Sequence, residues 1–321
     1  MKKNTILYKV EGHSSIGLGH VYRSYLLISN LQKNYEFIIL TKKNTKSFLF
    51  FKNKKFKVYT HNNKNILIKL NKICNENNIY KFVNDYLLIN KKVINFFKSK
   101  NITSYYLDTK NITCEKKIYS INTFVSNNQR HKNNFKGLKY VITDPKIRKI
   151  KKKAKSDRIN LLLHFGGSDD KGLSYKILKI LYKLKNINKT HVILGPATKS
   201  KLKKNIKSLI KKNKNILLYI WPKNLFKIYN KANLAIISGG NTLFNFCSES
   251  FKNISISTND FEKINCKKMS RLNLTYYLGH FDNINKNKLT NKIIKVHHSN
   301  KKIKKYKFNG IENIKKIILN S

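Results

Sequence analysis

The sequence predicts an α/β protein made of two units in tandem, each built on a parallel sheet. Three observations predict it. Short apolar runs alternate with helical stretches along the first half, the alternation restarts after a lysine-rich segment, and three strand-to-helix junctions are rich in glycine. A chain of 321 residues has room for about two domains at the usual 100–200 residues each.

In chain order, 5–10 reads as a strand, 21–31 as a helix and 36–40 as a second strand, followed by a loop-rich zone. Residues 80–83 and 103–107 read as further strands flanking a helix at 87–97, and 140–143 is expected to close the first half. Pro145 and the lysine-rich 146–158, which lacks apolar periodicity, form the expected linker. The apolar run 159–165 then restarts the pattern, with helical spacing over 173–184 and strands at 191–194, 216–220, 234–237 and 254–257. The tail carries Ile303, Ile311 and Ile314 among lysines, which suits an amphipathic helix with a solvated charged face. The expected domains are therefore 1–145, a linker at 146–158, 159–298 and a terminal helix within 299–321. No repeat of 20–50 residues is visible.

The formal net charge of +53 would by itself point to nucleic acid or an anionic membrane. Only five of the 68 basic residues are arginine, namely Arg23, Arg130, Arg148, Arg158 and Arg271. Arginine is the preferred fork for phosphate and base edges, and the lysines are spread through loops and helices instead of forming a stripe. This argues against a nucleic-acid partner. With 40% hydrophobic residues there is ample material for a core. No apolar run approaches the ~20 residues of a membrane span, so no stable membrane insertion is expected and the chain reads as soluble and cytoplasmic. Cys74, Cys114, Cys247 and Cys266 are scattered without a CxxC pair, which predicts buried free thiols and no zinc site. No metal or cofactor is expected.

Chemistry concentrates at the glycine-rich junctions. The first runs Glu11-Gly12-His13-Ser14-Ser15-Ile16-Gly17-Leu18-Gly19-His20-Val21-Tyr22-Arg23 between a strand and a helix. Gly17 and Gly19 let backbone N–H groups approach an anion. The dinucleotide fingerprint is incomplete, because Tyr22 occupies its third glycine position. His20 and Arg23 fall in the first helical turn, where a histidine tends to be neutral and suits a general base; a capping or core histidine is the other reading. The second junction, Gly166-Gly167-Ser168-Asp169, fits either a phosphate contact or an ordinary helix cap. The third, Ser238-Gly239-Gly240-Asn241-Thr242-Leu243, offers backbone N–H groups and hydroxyls suited to a pyrophosphate. Among the remaining histidines, His164 reads as a core residue, and His280, His297 and His298 as surface positions. The apolar run around 48–51, flanked by lysines, is open between a core segment and membrane-surface contact.

Taken together, the Ile-Gly-x-Gly-His-x-x-Arg element at 16–23, the Gly-Gly-Ser-Asp at 166–169, the Gly-Gly-Asn-Thr-Leu at 239–243 and the stretch from Asn265 to Leu278-Gly279 resemble the UDP-sugar hydrolases of pseudaminic acid biosynthesis and their spore-coat-polysaccharide relatives. The resemblance implies two Rossmann-like domains facing across a cleft, similar to the MurG-type (GT-B) glycosyltransferases. It further implies release of UDP from a 2,4-diacetamido-2,4,6-trideoxy sugar to water, with His20 catalytic and Tyr86, in the triplet Asn84-Asp85-Tyr86, a second contact. Asp108 resembles a further family acid. The implied nucleotide-sugar ligands are Gly17, Gly19, Arg23, Gly166, Gly167, Ser168, Ser238, Gly239, Gly240, Asn241, Thr242 and Asn245, and the implied partner is a UDP-linked amino sugar. Trp221, followed by Pro222, resembles a loop bordering the nucleotide, with packing and stacking on uracil both open. The chain departs from the family at Asn245, where a glutamate is usual, at Asn273, where a glycine is, and at Glu11, where aspartate is commoner. Transfer of the sugar to an alcohol or amine is the alternative activity.

Overall fold

The structure, a computed structural model, describes residues 3–12, 18–43, 45–62, 64–123, 129–149, 157–181, 184, 186–211 and 213–321. They form two compact units, one of Met1–His13, His20–Ile142 and Phe308–Ser321, the other of Ser14–Gly19 and Thr143–Lys307.

The first unit is a seven-stranded sheet in the order β3-β2-β1-β4-β5-β6-β7, from β1 (Asn4–Val10), β2 (Tyr35–Lys42), β3 (Lys57–His61), β4 (Ile79–Asp85), β5 (Thr103–Leu107), β6 (Ile118–Asn122) and β7 (Asn134–Lys136), every pair parallel. Its helices include α1 (Gly19–Leu31), α2 (Lys46–Asn53), α3 (Ile66–Glu76) and α4 (Lys91–Ser99). Central β1 buries Ile6, Leu7, Tyr8 and Val10 completely, as a parallel strand covered on both faces must.

The zone expected to be loop-rich holds α2, β3 and α3. These elements are hard to read because β3 is an edge strand with only His61 buried, and α2 buries only Ser47 and Phe51. The apolar run expected to close the half as a strand, 140–143, lies outside the ladder; β6 and β7, missed in the reading, complete the sheet. The expected linker begins with a 3-10 turn at Pro145–Lys149, and 150–156 lie outside the described residues.

The second unit repeats the order as β10-β9-β8-β11-β12-β13, from β8 (Ile159–His164), β9 (Ile187–Leu194), β10 (Ile216–Ile220), β11 (Leu234–Ser238), β12 (Asn253–Ser257) and β13 (Tyr276–His280), again parallel. With them run α5 (Leu173–Leu181), α6 (Ser200–Lys211), α7 (Leu225–Tyr229), α8 (Asn241–Cys247), α9 (Asp260–Arg271) and α10 (Lys286–His298). The asparagine-rich composition serves these elements: Asn224, Asn259 and Asn285 each accept a backbone N–H at the start of α7, α9 and α10.

The tail forms α11 (Gly310–Leu319) and belongs to the first unit, not to a separate segment. A Cβ on Gly310 would lie 2.2 Å from the Val141 carbonyl oxygen, and the apolar residues Tyr140, Val141 and Ile142 of this run are buried beside the helix. At its other end the fully buried Lys81 ammonium donates to the Ile318 carbonyl and lies among the rings of Tyr35, Tyr80 and Tyr105. No helix among the described residues is long and apolar enough to cross a membrane.

Candidate functional site

In both sheets the strand order reverses between the first and fourth strands of the unit, and the space beyond the carboxyl ends of such strands is where α/β sheets bind ligands. All three glycine-rich junctions leave strands at these points: β1 in the first unit, β8 and β11 in the second.

In the first unit, β1 and β4 pair with Val10 opposite Asp85. His20, Arg23 and Ser24 share one face of α1 by their i, i+3, i+4 spacing and converge on that aspartate. His20 Nδ1 lies 3.0 Å from Asp85 Oδ1, Ser24 Oγ donates to Oδ2 at 2.7 Å, and Tyr8 OH donates to Oδ2 at 3.3 Å. Arg23 Nε donates to both carboxylate oxygens, at 2.9 and 3.1 Å, and Nη2 also reaches Oδ1. Its Nη1 donates to Asp108 Oδ2 at 2.7 Å, while Asp108 Oδ1 accepts from Thr123 N and Oγ1 at 2.7 and 2.8 Å. Burial alone would raise the Asp85 pKa, but the Arg23 charge and the His20 bond outweigh it and hold the carboxyl far below the usual range. Asp85 is therefore a fixed anion. The anion 3.0 Å away favours a proton on His20 Nδ1 and leaves Nε2 as the ring nitrogen not engaged by Asp85; the His20 side chain keeps 24% exposure.

The motif reading expects Arg23 on the nucleotide sugar. The structure places its guanidinium on Asp85 and Asp108, where it holds both carboxylates. Tyr86, expected as a second contact, stands beside His20 with ring centroids 6.5 Å apart in an edge arrangement. Its ring also lies 5.2 Å from the Lys9 ammonium. Lys9 is paired to buried Glu11 at 3.1 Å, and Glu11 binds Lys42 at 3.1 Å with His61 at 3.7 Å. Burial works against the Glu11 carboxylate, yet Lys9 and Lys42 hold its pKa below the ordinary value. Gly17 lies outside the described residues, and Gly19 opens α1.

In the second unit the two junctions sit side by side: a Cβ built on Gly166 would lie 3.8 Å from Ser238 Oγ. Asp169 is a helix cap, accepting from Leu173 N and Ser174 N at 2.8 and 3.0 Å, and Gly166, Gly167 and Ser168 before it are half-buried. Ser238 and Thr242 are buried, and Gly240 and Asn241 are partly exposed. Glycine is required at 239 because a Cβ there would come within 2.6 Å of the Glu262 carbonyl oxygen and 2.7 Å of Cys266 Sγ. Asn245 accepts from Asp144 N at 3.1 Å, so its carbonyl is engaged by backbone. His164, read as a core histidine, is buried and bonded to Tyr229 OH at 2.9 Å.

Glu262 escaped the sequence reading, and Asp85 was named there only as part of the triplet Asn84-Asp85-Tyr86. Glu262 accepts from Thr258 N and Oγ1 at 2.8 and 2.7 Å, with Oε1 3.5 Å from where a Cβ on Gly240 would be; burial raises its pKa. No local signal marks it, since only the sheet order brings α9 beside the 239–240 turn. Asp85 could have been found as the acid ending the strand next to β1. Trp221 is 62% exposed with a φ of 44°. Among the described residues no group of three His, Cys, Asp or Glu could hold a metal ion.

Two parallel sheets of this order define the two-Rossmann-domain GT-B fold. Solved structures agree. MurG of Acinetobacter baumannii superposes with a TM-score of 0.67 at 12% identity, covering 99% of this chain and 100% of that one. The UDP-GlcNAc 2-epimerase of Methanocaldococcus jannaschii, in complex with UDP-GlcNAc and UDP, gives 0.61 at 15% identity over 98% of this chain and 100% of that one. S. aureus MnaA with UDP gives 0.63 at 10% identity over 99% and 97%. An uncharacterized protein of Methanocaldococcus jannaschii is 28% identical over 262 residues, which are 73% of this chain and 51% of that protein. The chain thus spans about half the length of this curated relative. No family model matches the chain.

Proposed function

We propose that the chain is a nucleotide-sugar hydrolase that releases UDP from an amino sugar of the 2,4-diacetamido-2,4,6-trideoxyhexose type, for nonulosonic (pseudaminic-type) acid or surface polysaccharide synthesis. The observation that carries this reading is the His20–Asp85 pair, a histidine with one ring nitrogen fixed by a buried permanent anion. Support also comes from the UDP and UDP-GlcNAc bound in structures of like fold.

The chemistry is displacement at the anomeric carbon. Water held by His20 Nε2 attacks that carbon, the bond to the pyrophosphate oxygen breaks, and the water proton passes to Nε2. Asp85 stabilises the imidazolium that forms, as the aspartate of a triad does. Arg23 and Ser24 keep the carboxylate in place. The second unit holds the nucleotide: backbone N–H groups of 239–242 with the Ser238 and Thr242 hydroxyls stabilise the leaving pyrophosphate. Gly166, Gly167 and Ser168 add neutral contacts, and exposed Trp221 offers a face to the base.

Transfer to an alcohol or amine is the alternative, and one observation favours it. Helix α2 leaves Leu49 50% exposed among lysines, a surface suited to a lipid-linked acceptor. Purified protein incubated with UDP-, GDP- and CMP-sugars, with and without acceptor, decides between them. UDP released to water alone supports the hydrolase; release only with acceptor supports the transferase; no release from any UDP-sugar overturns both.

A further inference from the structure

The second unit carries a cavity of about 400 Å³ near the starts of β8, β9 and β10, the opposite end of the sheet from the glycine-rich junctions. Its floor departs from what a parallel sheet demands. One face of these strands is aliphatic throughout, with Leu161, Leu163, Val192 and Leu194 in the main core. Strands covered on both faces read as continuous apolar runs. The other face instead presents Asn160 opposite Lys189, and His191 opposite Leu217.

These polar groups are organised. Asn188 Nδ2 donates to Asn160 Oδ1 at 2.9 Å, and His191 Nδ1 lies 3.1 Å from Tyr219 OH with the two rings stacked. The Lys231 ammonium stands 5.8 Å from the Tyr219 ring centroid. The lining contains two lysines and no carboxylate. His191 lines the cavity although only 2% of its surface is exposed. Burial, then the charges of Lys231 and Lys189, push its pKa down to about 4. Two exposed lysines on a lining otherwise made of Asn160, Asn188, Asn230, His191 and Leu217, with no carboxylate, suit an anion that would accept from the ammonium groups and the asparagine amides.

We propose that this cavity binds a small oxyanion, a carboxylate or phosphate group, held between Lys189 and Lys231 above the Asn160–Asn188 amides. The site is separate from the junctions and does not depend on the activity assigned to them.

Inorganic phosphate and acetate, titrated separately into the full chain at constant chloride, test it through the ring resonances of His191. The expected result is a saturable shift with a rise of the His191 pKa toward the ordinary histidine value. Lys189→Gln and Lys231→Gln should each weaken binding about tenfold, the worth of one charge-assisted bond. Leu217→Phe, which fills the cavity and keeps both lysines, should abolish the saturable shift. Tighter phosphate marks a phosphate ligand and tighter acetate a carboxylate. A response that does not saturate, or that persists unchanged in the Lys189→Gln/Lys231→Gln or Leu217→Phe chains, overturns the site and leaves only diffuse attraction to the basic surface.

Discussion

The two switch points of this molecule have the same topology and opposite chemistry. Where β1 and β4 end, the first unit packs His20, Arg23, Asp85 and Asp108 into a dense charged network. Where β8 and β11 end, the second unit presents glycine, serine and threonine, and its nearby carboxylates, Asp169 and Glu262, are spent on the backbone N–H groups of Leu173, Ser174 and Thr258. A proton-transfer group needs fixed charges to set its tautomer, whereas a pyrophosphate pocket needs close, uncharged N–H donors. The comparison teaches that two sheets of one strand order can carry different side-chain chemistry at their switch points by changing only the residues that follow their strands.

That contrast can be broken most severely at Asp85. Asp85→Ala leaves Arg23 buried against one carboxylate only, which should cost about 3–5 kcal/mol in urea unfolding and also remove the His20 orienting bond. The same aspartate sets an acid limit. Its folded pKa lies below its unfolded one, so its stabilisation is full above about pH 5 and is lost as pH falls further. The urea-unfolding midpoint of Asp85→Ala should therefore fall less below about pH 5 than that of the parent.

His20→Ala is next, and separates chemistry from folding. UDP release should fall by about 10²–10⁴ with an unchanged unfolding midpoint; parental turnover would remove His20 from the mechanism. In the glycine-rich junction the response should be steric instead. Gly239→Ala forces a Cβ against the Glu262 backbone and Cys266, costing about 1–3 kcal/mol by overpacking and weakening UDP binding in calorimetry. Asn245→Ala removes the acceptor of Asp144 N and should cost about 1 kcal/mol. If it instead leaves stability alone and raises KM, Asn245 contacts the nucleotide.

The smallest effect belongs to Lys81, which lies away from both junctions. Burial pushes its pKa down to about 8, below the unfolded value of about 10.4. The unfolded chain thus binds more protons between these values, and stability rises with pH across that window. The difference in unfolding midpoint between parent and Lys81→Met should change only between about pH 8 and 10.4.

Much of the second unit was legible because its strands are compact aliphatic runs bounded by glycine. The first unit was less so. Elements α2, β3 and α3 are rich in lysine and asparagine, and half-exposed edge elements need little apolar periodicity. The 140–143 run shows the converse error, since its apolar residues pack on α11 instead of joining the sheet, a contact made across a long sequence separation. Arg23 was legible as unusual in a lysine-rich chain, but its partners were not, because Asp85 and Asp108 lie on later strands.

By itself, then, the sequence determined the α/β class, the tandem repeat of the pattern and the three junctions, all of which follow from local periodicity and from the backbone freedom of glycine. Only the tertiary structure decided that Arg23 faces carboxylates, that Asp169 caps a helix, that Glu262 stands beside Gly240 and that the tail returns to the first unit. These depend on the order in which parallel strands assemble, and that order places residues far apart in the chain at a common sheet edge.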